Sequence, residues 1–308
     1  MGLRTRFWLR RLASMVVVLF VTSVLVFALL RLVPGDPARL LAGPQASPED
    51  LARMRDRLGL DDPLPLQYFT WLGNAVRGDF GASIVNGLPV FPQVLSAFWA
   101  SLQLAITGML LAVVVGVPLG VLAARRPGGT LDHLSTSFAV VGISVPIFFV
   151  GVLLISMFSV RLGWLPATGK EGLSSFVLPT ATIAIYEAAY VIRMTRATVR
   201  GVLEEPYIAA AKAKGISAPR LYGAHALRNA AIPISTIVVI QFGYLLGGAA
   251  LTETVFVWPG LGHELVNALA SRDYAMVQGA VVVIAVAMLI VYLLADLLYT
   301  YLDPRIRL

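Results

Sequence analysis

Glu187 is a carboxylate placed inside an apolar stretch, residues 176–192, six positions before Arg193. A carboxylate at that depth could line an aqueous path and pair with an ammonium or a guanidinium. A second reading is also open. Arg193 is only about 9 Å along the helix at roughly 1.5 Å per residue, so Glu187 could instead extend to the membrane interface. Gln241 and Ser144 are the other polar candidates for the wall of a path, although such groups also serve as packing contacts between membrane helices. Asp296, in the last apolar run, reads as a hydrogen-bonding partner for another span. Absence of cysteine excludes disulfide and thiolate chemistry, and the three histidines, His133, His225 and His263, are too scattered for a metal site. No Gly-x-x-x-x-Gly-Lys-Ser/Thr phosphate loop occurs, since Gly169-Lys170-Glu171 has no hydroxyl after the lysine. Neither catalytic residues nor an ATP site are therefore expected in this chain.

The richest polar stretch is residues 204–229, between long apolar runs. Glu204 and Glu205 precede Pro206, and a helix is predicted over residues 206–214, with Lys212 and Lys214 in its last turn and Gly215 as its stop. Acid at the start and base at the end both complement a helix dipole. Ala209, Ala210 and Ala211 give it a smooth surface that could lie in another protein's groove. Ser217-Ala-Pro219 begins a second helix through residue 229, with a break expected near Pro233. The island is either a surface held by a soluble partner or a basic helix solvated at the membrane surface.

The elements that position these residues are set by composition. The chain is 58% hydrophobic and 13% charged, against roughly 25% charged in soluble domains. It is read as an all-α, polytopic membrane protein, because its runs are long enough for helices and lack two-residue alternation. Six spans are predicted: residues 12–30, 102–124, 134–160, 176–192, 232–251 and 278–301. The first is too long for a signal-peptide core and has no small-residue cleavage site, so it reads as a permanent anchor. Four leading arginines, Arg125 and Arg126, the basic residues from Arg193 to Arg228, and Arg305 and Arg307 all fall on one side. The positive-inside rule then puts both termini in the cytoplasm, and the net charge of +7 reflects topology rather than affinity for nucleic acid.

The fourth span is weak. Its seven Leu, Ile, Val and Phe residues contribute about −2 to −4 kcal/mol to insertion, nearly cancelled by roughly +2.5 to +3.5 for Glu187. It should lie inside the bundle rather than against lipid. Pro118 and Pro146 are expected to kink their spans. The loop of residues 33–97 is too long for a connector. Ser47-Pro-Glu-Asp50 has the form of a capping box, followed by Leu51, Met54 and Leu58 on one face and by Gly59 as a stop. A second helix is predicted over residues 66–76, with Tyr68, Trp71 and Leu72 at the membrane interface, and turns are marked by Asp79-Phe-Gly81 and Asn86-Gly87. This loop could be a cap or a docking surface. Trp258-Pro-Gly260 is expected at the outer surface, as a gate or an interfacial anchor.

Ala209-Ala-Ala-Lys-Ala-Lys-Gly215, followed by His225-Ala-Leu-Arg-Asn-Ala-Ala-Ile-Pro233, resembles the cytoplasmic loop of bacterial ABC importer permeases of the dipeptide/oligopeptide and nickel class. Ala209 stands where the general importer pattern has Glu, and Leu227-Arg228 replaces Leu-Pro. Leu32-Val-Pro-Gly-Asp-Pro37, Leu58-Gly-Leu-Asp-Asp-Pro-Leu64, Arg77-Gly-Asp-Phe-Gly81, Arg161-Leu-Gly-Trp-Leu-Pro166, Thr252-Glu-Thr-Val-Phe-Val-Trp-Pro-Gly-Leu-Gly262, Arg272-Asp-Tyr274 and Asp303-Pro-Arg-Ile-Arg307 extend the likeness over nearly the whole chain.

The resemblance implies the type I importer permease fold, six transmembrane helices with a cytoplasmic coupling helix, for the first of two paired permeases in an inner membrane. Its implied partners are a second homologous permease, two ATP-binding cassette subunits that bind the ATP, and an extracytoplasmic binding protein. No cofactor is implied in the chain itself. The coupling residues it suggests are Glu204, Glu205, Tyr207, Ile208, Ala209, Ala210, Ala211, Lys212, Lys214 and Gly215. The organisation expected is a cytoplasmic start and first span (1–32), an extracytoplasmic loop (33–97) and a transmembrane core (98–308) whose coupling loop covers 193–231. Short peptides are the expected substrate, with nickel and glutathione as alternatives. A stand-alone secondary transporter should show inverted repeats or several intramembrane charges, and a mere scaffold would leave the basic island unexplained.

Overall fold

A computed structural model describes residues 3–32, 38–39, 46–57 and 59–302. Residues 33–37, Leu58 and the terminal Asp303-Pro-Arg-Ile-Arg307 motif, with Arg305 and Arg307, lie outside the described residues. Helices account for the architecture. They are α1 (Leu3–Leu32), α2 (Pro48–Arg57), α3 (Leu64–Val76), α4 (Val90–Arg125), α5 (Thr130–Ser144), α6 (Ile147–Leu154), α7 (Ser174–Leu203), α8 (Pro206–Ala213), α9 (Ala218–Arg220), α10 (Arg228–Gly248), α11 (Ala250–Val255), α12 (Leu261–Ser271) and α13 (Tyr274–Leu302). π-helical turns extend α6 over Ile155–Arg161 and join α9 to α10 over Leu221–Leu227.

Five helical stretches are long and apolar enough to cross a membrane, and α5 with α6 makes a sixth if the pair is one span. The break in that pair is the kink expected at Pro146 in the span over 134–160. The two helices meet at 100°, because Pro146 cannot donate to the helical ladder and Val145 before it is extended (φ −83°, ψ 127°). Pro118, by contrast, sits within continuous α4. The expected break at Pro233 is also corrected: α10 runs through it, and the irregularity falls earlier, in the π turns of 221–227.

The chain forms two compact units, residues 1–99 with 264–287 and residues 100–263 with 288–308. In the first, Ser47 and Asp50 make the reciprocal capping contacts expected at α2, with Asp50 N–H donating to Ser47 Oγ (3.1 Å) and Ser47 Oγ–H to Asp50 Oδ2 (2.7 Å). Tyr68 of α3 is not at an interface but buried against α1. Its hydroxyl is 2.8 Å from Ser23 Oγ, and its ring meets Phe27 edge-on at 5.3 Å. The expected turns form on Gly81 (φ +83°) and Gly87 (φ +72°), and Asp79 Oδ1 accepts the Gly81 N–H at 2.9 Å. Two motifs distant in sequence meet here: Ser83, just past the Gly81 turn, donates to Asp273, which caps α13 by accepting the Met276 N–H at 3.2 Å.

The second unit is organised around α7, whose neighbours are α5, α6, α10 and α11. Close approach depends on glycine. A Cβ at Gly108 of α4 would lie 2.5 Å from Ile183, at Gly116 2.8 Å from Val191, and at Gly120 2.6 Å from Thr195. Gly142 of α5 meets Ala189 in the same way, at 2.9 Å. These small residues let backbones replace side chains at the contact, the main source of attraction between helices in a membrane. The weak fourth span is therefore buried, as its polarity requires.

Replacing Gly120 with Val should force α4 off α7, where Ile192 O is rigid backbone at 2.9 Å, and cost about 1–3 kcal/mol or more. Gly201→Ala, with open space around the new methyl, should be neutral or gain roughly 0.5–1 kcal/mol. Size-exclusion profiles of the detergent-solubilised protein after graded heating would separate the two.

Candidate functional site

At one end of the second unit, α8 lies on the start of the α9–α10 stretch. Ile208 is 0% exposed and packs with Ala211 and Leu221, flanked by Val202, Leu203 and Ile216. The far end of α8 is closed by two reciprocal bonds: Ile216 N–H to Ala211 O (3.3 Å) and Gly215 N–H to Lys212 O (3.0 Å), with Gly215 at φ +74°. This is a Schellman stop, and the left-handed residue it needs is the glycine expected there. At the near end Pro206 occupies the first turn, but Glu205 caps with its backbone only, and Glu204 lies 3.5 Å from Arg200 in an exposed pair.

This packing sorts the expected coupling residues. Ile208 and Ala211 are turned into the protein and hold α8 down, so they are not on the face open to a partner. Tyr207 (42% exposed), Ala209, Ala210, Lys212 and Lys214 form the open face. Tyr207 also ties α8 to the next element, since Asn229 Nδ2–H donates to its hydroxyl at 2.7 Å. A hydrophobic cluster of Ala124, Val199, Ala226, Ala230 and Ile234 joins the ends of α4, α7 and α10 just beyond.

A charged pair locks the same end. Arg196 of α7 grips Asp132 of α5 through Nε and through Nη2, the latter 2.9 Å from Oδ2, which also accepts the Gly128 N–H at 2.9 Å. Asp132 is buried. Sequence reading passed over both residues, because Asp132 looks like an ordinary first-turn acid and nothing local shows that Arg196, 64 residues on, will face it. Arg125 stacks over Tyr222 at 4.8 Å, joining the end of α4 to the π turns.

Glu187 and Gln241 are brought together in the middle of the unit. Gln241 Nε2–H donates to Glu187 Oε2 at 3.2 Å, and Glu187 is 2% exposed. The carboxylate reaches α10 rather than the interface. Ser144 is exposed and turns its hydroxyl back onto Val140 O at 2.8 Å.

Beyond the other end of α10, the Thr252–Gly262 motif builds a compact knot around Glu253. Its carboxylate accepts the Ser101 hydroxyl and the His263 N–H (3.0 Å), while Ser101 Oγ accepts the Leu261 N–H at 2.7 Å. Burial pushes the Glu253 carboxyl up, and these donors oppose that. A Cβ at Gly260 would fall 2.3 Å from the carboxyl carbon. Trp258 is 0% exposed: its indole donates to Ala100 O at 3.0 Å and its ring meets Phe176 at 4.5 Å. That corrects the reading of Trp258 as an interfacial anchor, since its polar atom is satisfied inside the protein. No group of metal ligands occurs among the described residues.

With a short helix seated on the end of a buried span in a helical membrane unit, the chain has the type I importer permease fold. Solved structures share that fold: a methionine ABC transporter, MetNI, in inward-facing conformations (TM-score 0.57, 19% identity, covering 68% of this chain and 96% of that one) and an amino acid ABC transporter (TM-score 0.52, 18% identity, 70% and 94%). Residues 116–308 match the family described as "Binding-protein-dependent transport system inner membrane component", and residues 4–104 match its N-terminal counterpart. The chain belongs to this family. Similar proteins include "Probable peptide ABC transporter permease protein y4tP" of Sinorhizobium fredii (41% identical, covering 97% of this chain and 98% of that one) and "Glutathione transport system permease protein GsiC" of Escherichia coli K12 (43%, 97% and 98%). The chain is thus a multi-pass permease subunit of an ABC importer, not an enzyme.

Asp132→Ala would leave the Arg196 guanidinium without its anion, at an expected cost of about 3 kcal/mol, the scale for breaking a buried pair. Adding Arg196→Ala should recover part of that loss. A double-mutant cycle on heat stability in detergent checks the coupling, and strictly additive effects would contradict it.

Proposed function

We propose that this permease carries short peptides, delivered by an extracytoplasmic binding protein, along a path shared with a second permease subunit. Two ATP-binding cassette subunits bind and hydrolyse the ATP, and one of them grips the open face of α8. The observation that carries this reading is how α8 is mounted. Its inner face is fixed by Ile208, Ala211 and Leu221 and its end by the Schellman stop, while Ala209, Ala210, Lys212 and Lys214 stay clear. A rigidly seated rod with a smooth free face can pass a push to the spans beneath it.

Through the Tyr207–Asn229 bond and the 221–227 turns, that push reaches α10; through Val202 and Leu203 it reaches α7. Glu187 and Gln241 tie those two spans together deeper in the unit, so α7 and α10 would tilt as a pair. The Lys and Arg distribution supports a cytoplasmic α8 and cytoplasmic termini. Peptide as cargo rests on the likeness to the Sinorhizobium fredii protein, and glutathione, itself a small peptide-like molecule, on the likeness to the Escherichia coli one.

Ala210→Glu should abolish ATP-driven uptake of labelled dipeptide, at least tenfold, with the permease still present in the membrane. The same change should release the ATPase subunits in a pull-down on the tagged permease. Unaltered uptake with the partners still bound would overturn the proposed grip.

A further inference from the structure

Three arginines lie on α7 near α8, and the structure treats them differently. Arg196 is committed to Asp132 and Arg200 lies beside Glu204. Arg193 is exposed and stacks over the Tyr190 ring at 5.7 Å. Among the described residues no carboxylate contacts its guanidinium.

Arg193 also stands at the end of a defined stripe. Ser175, Pro179, Thr182, Tyr186, Tyr190 and Arg193 recur at three- and four-residue steps and so share one face of α7. The first three are buried and the next two half-buried, with Arg193 open. The stripe is therefore covered along its first half and accessible along its second. In the accessible half, the Tyr186 and Tyr190 hydroxyls lie 3.3 Å apart, a pair that can still donate and accept further bonds. Two phenol hydroxyls and an unpaired guanidinium are ill suited to hydrocarbon; polar groups of this kind on a span face a protein-lined or watery space. Glu187, the nearest acid in sequence, is turned away to Gln241 and buried. It neutralises nothing on this stripe.

We infer that Tyr186, Tyr190 and Arg193 form a substrate-contacting strip in which the Arg193 fork binds the terminal carboxylate of a passing peptide. This rests on the peptide reading above and gives it a chemical handle. A planar guanidinium placed over a tyrosine ring keeps its fork free for a two-point contact with a carboxylate. The two tyrosine hydroxyls, one and two helical turns away, can exchange hydrogen bonds with the peptide amides. The strip requires of its ligand only an anionic end and a polar backbone, which suits peptides differing in their side chains.

The test uses the complete importer in proteoliposomes, with its binding protein and ATPase subunits, and compares a free-acid tripeptide with the same tripeptide amidated at its C-terminus. Arg193→Gln should lower uptake of the free acid by about tenfold to a hundredfold, the weight of a charge-assisted contact. It should leave uptake of the amide and basal ATP hydrolysis at the unchanged level. Arg193→Lys, which keeps the charge but loses the fork, should fall between. Equal losses for acid and amide would mean that Arg193 anchors to lipid headgroups or serves the fold, and would overturn the inference, as would no loss for either. Absence of tripeptide uptake by the unaltered importer is a different result: it would sink the peptide reading and this inference with it.

Discussion

Backbone-to-backbone approach between α4 and α7 is the constraint on which the second unit depends. Gly108, Gly116 and Gly120 present no side chain to Ile183, Val191 and Thr195, and any Cβ there would fall inside contact distance. In a bilayer there is little hydrophobic gain in bringing two apolar helices together, because lipid tails are as apolar as leucine; what remains is dispersion between closely fitted surfaces. Close fitting here also solves a second problem. A span carrying Glu187, Thr182 and Thr195 would be costly against lipid, and enclosure by α4, α5, α6 and α10 keeps these groups among protein neighbours. The least lipid-compatible span has thereby become the structural axis of the unit.

That axis has a mechanical corollary. Because α7 is enclosed for most of its length, it cannot tilt without taking its neighbours, and the ties at its α8 end are stiff: an ion pair to α5, a hydrophobic cluster shared with α4 and α10, and the seating of α8 on Leu221. The compliant points lie elsewhere. One is the 100° junction at Pro146 and another the π turns of 221–227, where hydrogen bonding departs from the α-helical ladder. Force entering at α8 would thus meet a rigid group of helices bounded by two irregular joints, which is the arrangement that turns a local push into a rotation rather than a local deformation.

Much of this was readable from residue order wherever the physics is local. The Ser47–Asp50 box, the glycine turns at 81 and 87, the stop of α8 at Gly215 and the burial of the weak fourth span all follow from interactions within a few residues or from composition. What escaped was long-range. Tyr68 looked interfacial because nothing near it announces that Ser23, 45 positions earlier, would share a hydrogen bond with its hydroxyl. Trp258 looked interfacial for the same reason, its acceptor being the carbonyl of Ala100. Pro233 was expected to break a helix, yet α10 continues through it and the π turns lie upstream, which shows that a missing N–H can be absorbed when the surrounding helix is held by its neighbours. The helix expected over 206–214 forms as α8, but its inner and outer faces could not be told apart without Leu221, which covers one of them.

The two tight knots at opposite ends of the second unit differ in kind, and the difference bears on how such a protein could change shape. Around Glu253, the His263 and Gly262 N–H groups and the Ser101 hydroxyl converge on a single buried carboxylate, with Gly260 and Gly262 packed so closely that no side chain would fit. Every donor there would lose its partner together if the knot opened, so it should remain rigid through any working cycle. At the α8 end the ties are separate and of mixed type: an ion pair partly open to solvent, an arginine stacked on a ring, one amide-to-phenol hydrogen bond and small apolar clusters. Each of these contacts can be lost without the others, but together they hold α5, α7, α8 and α10 as one group. A unit with a cooperative knot at one end and such a group at the other would turn about the knot, the α8 end moving as one body.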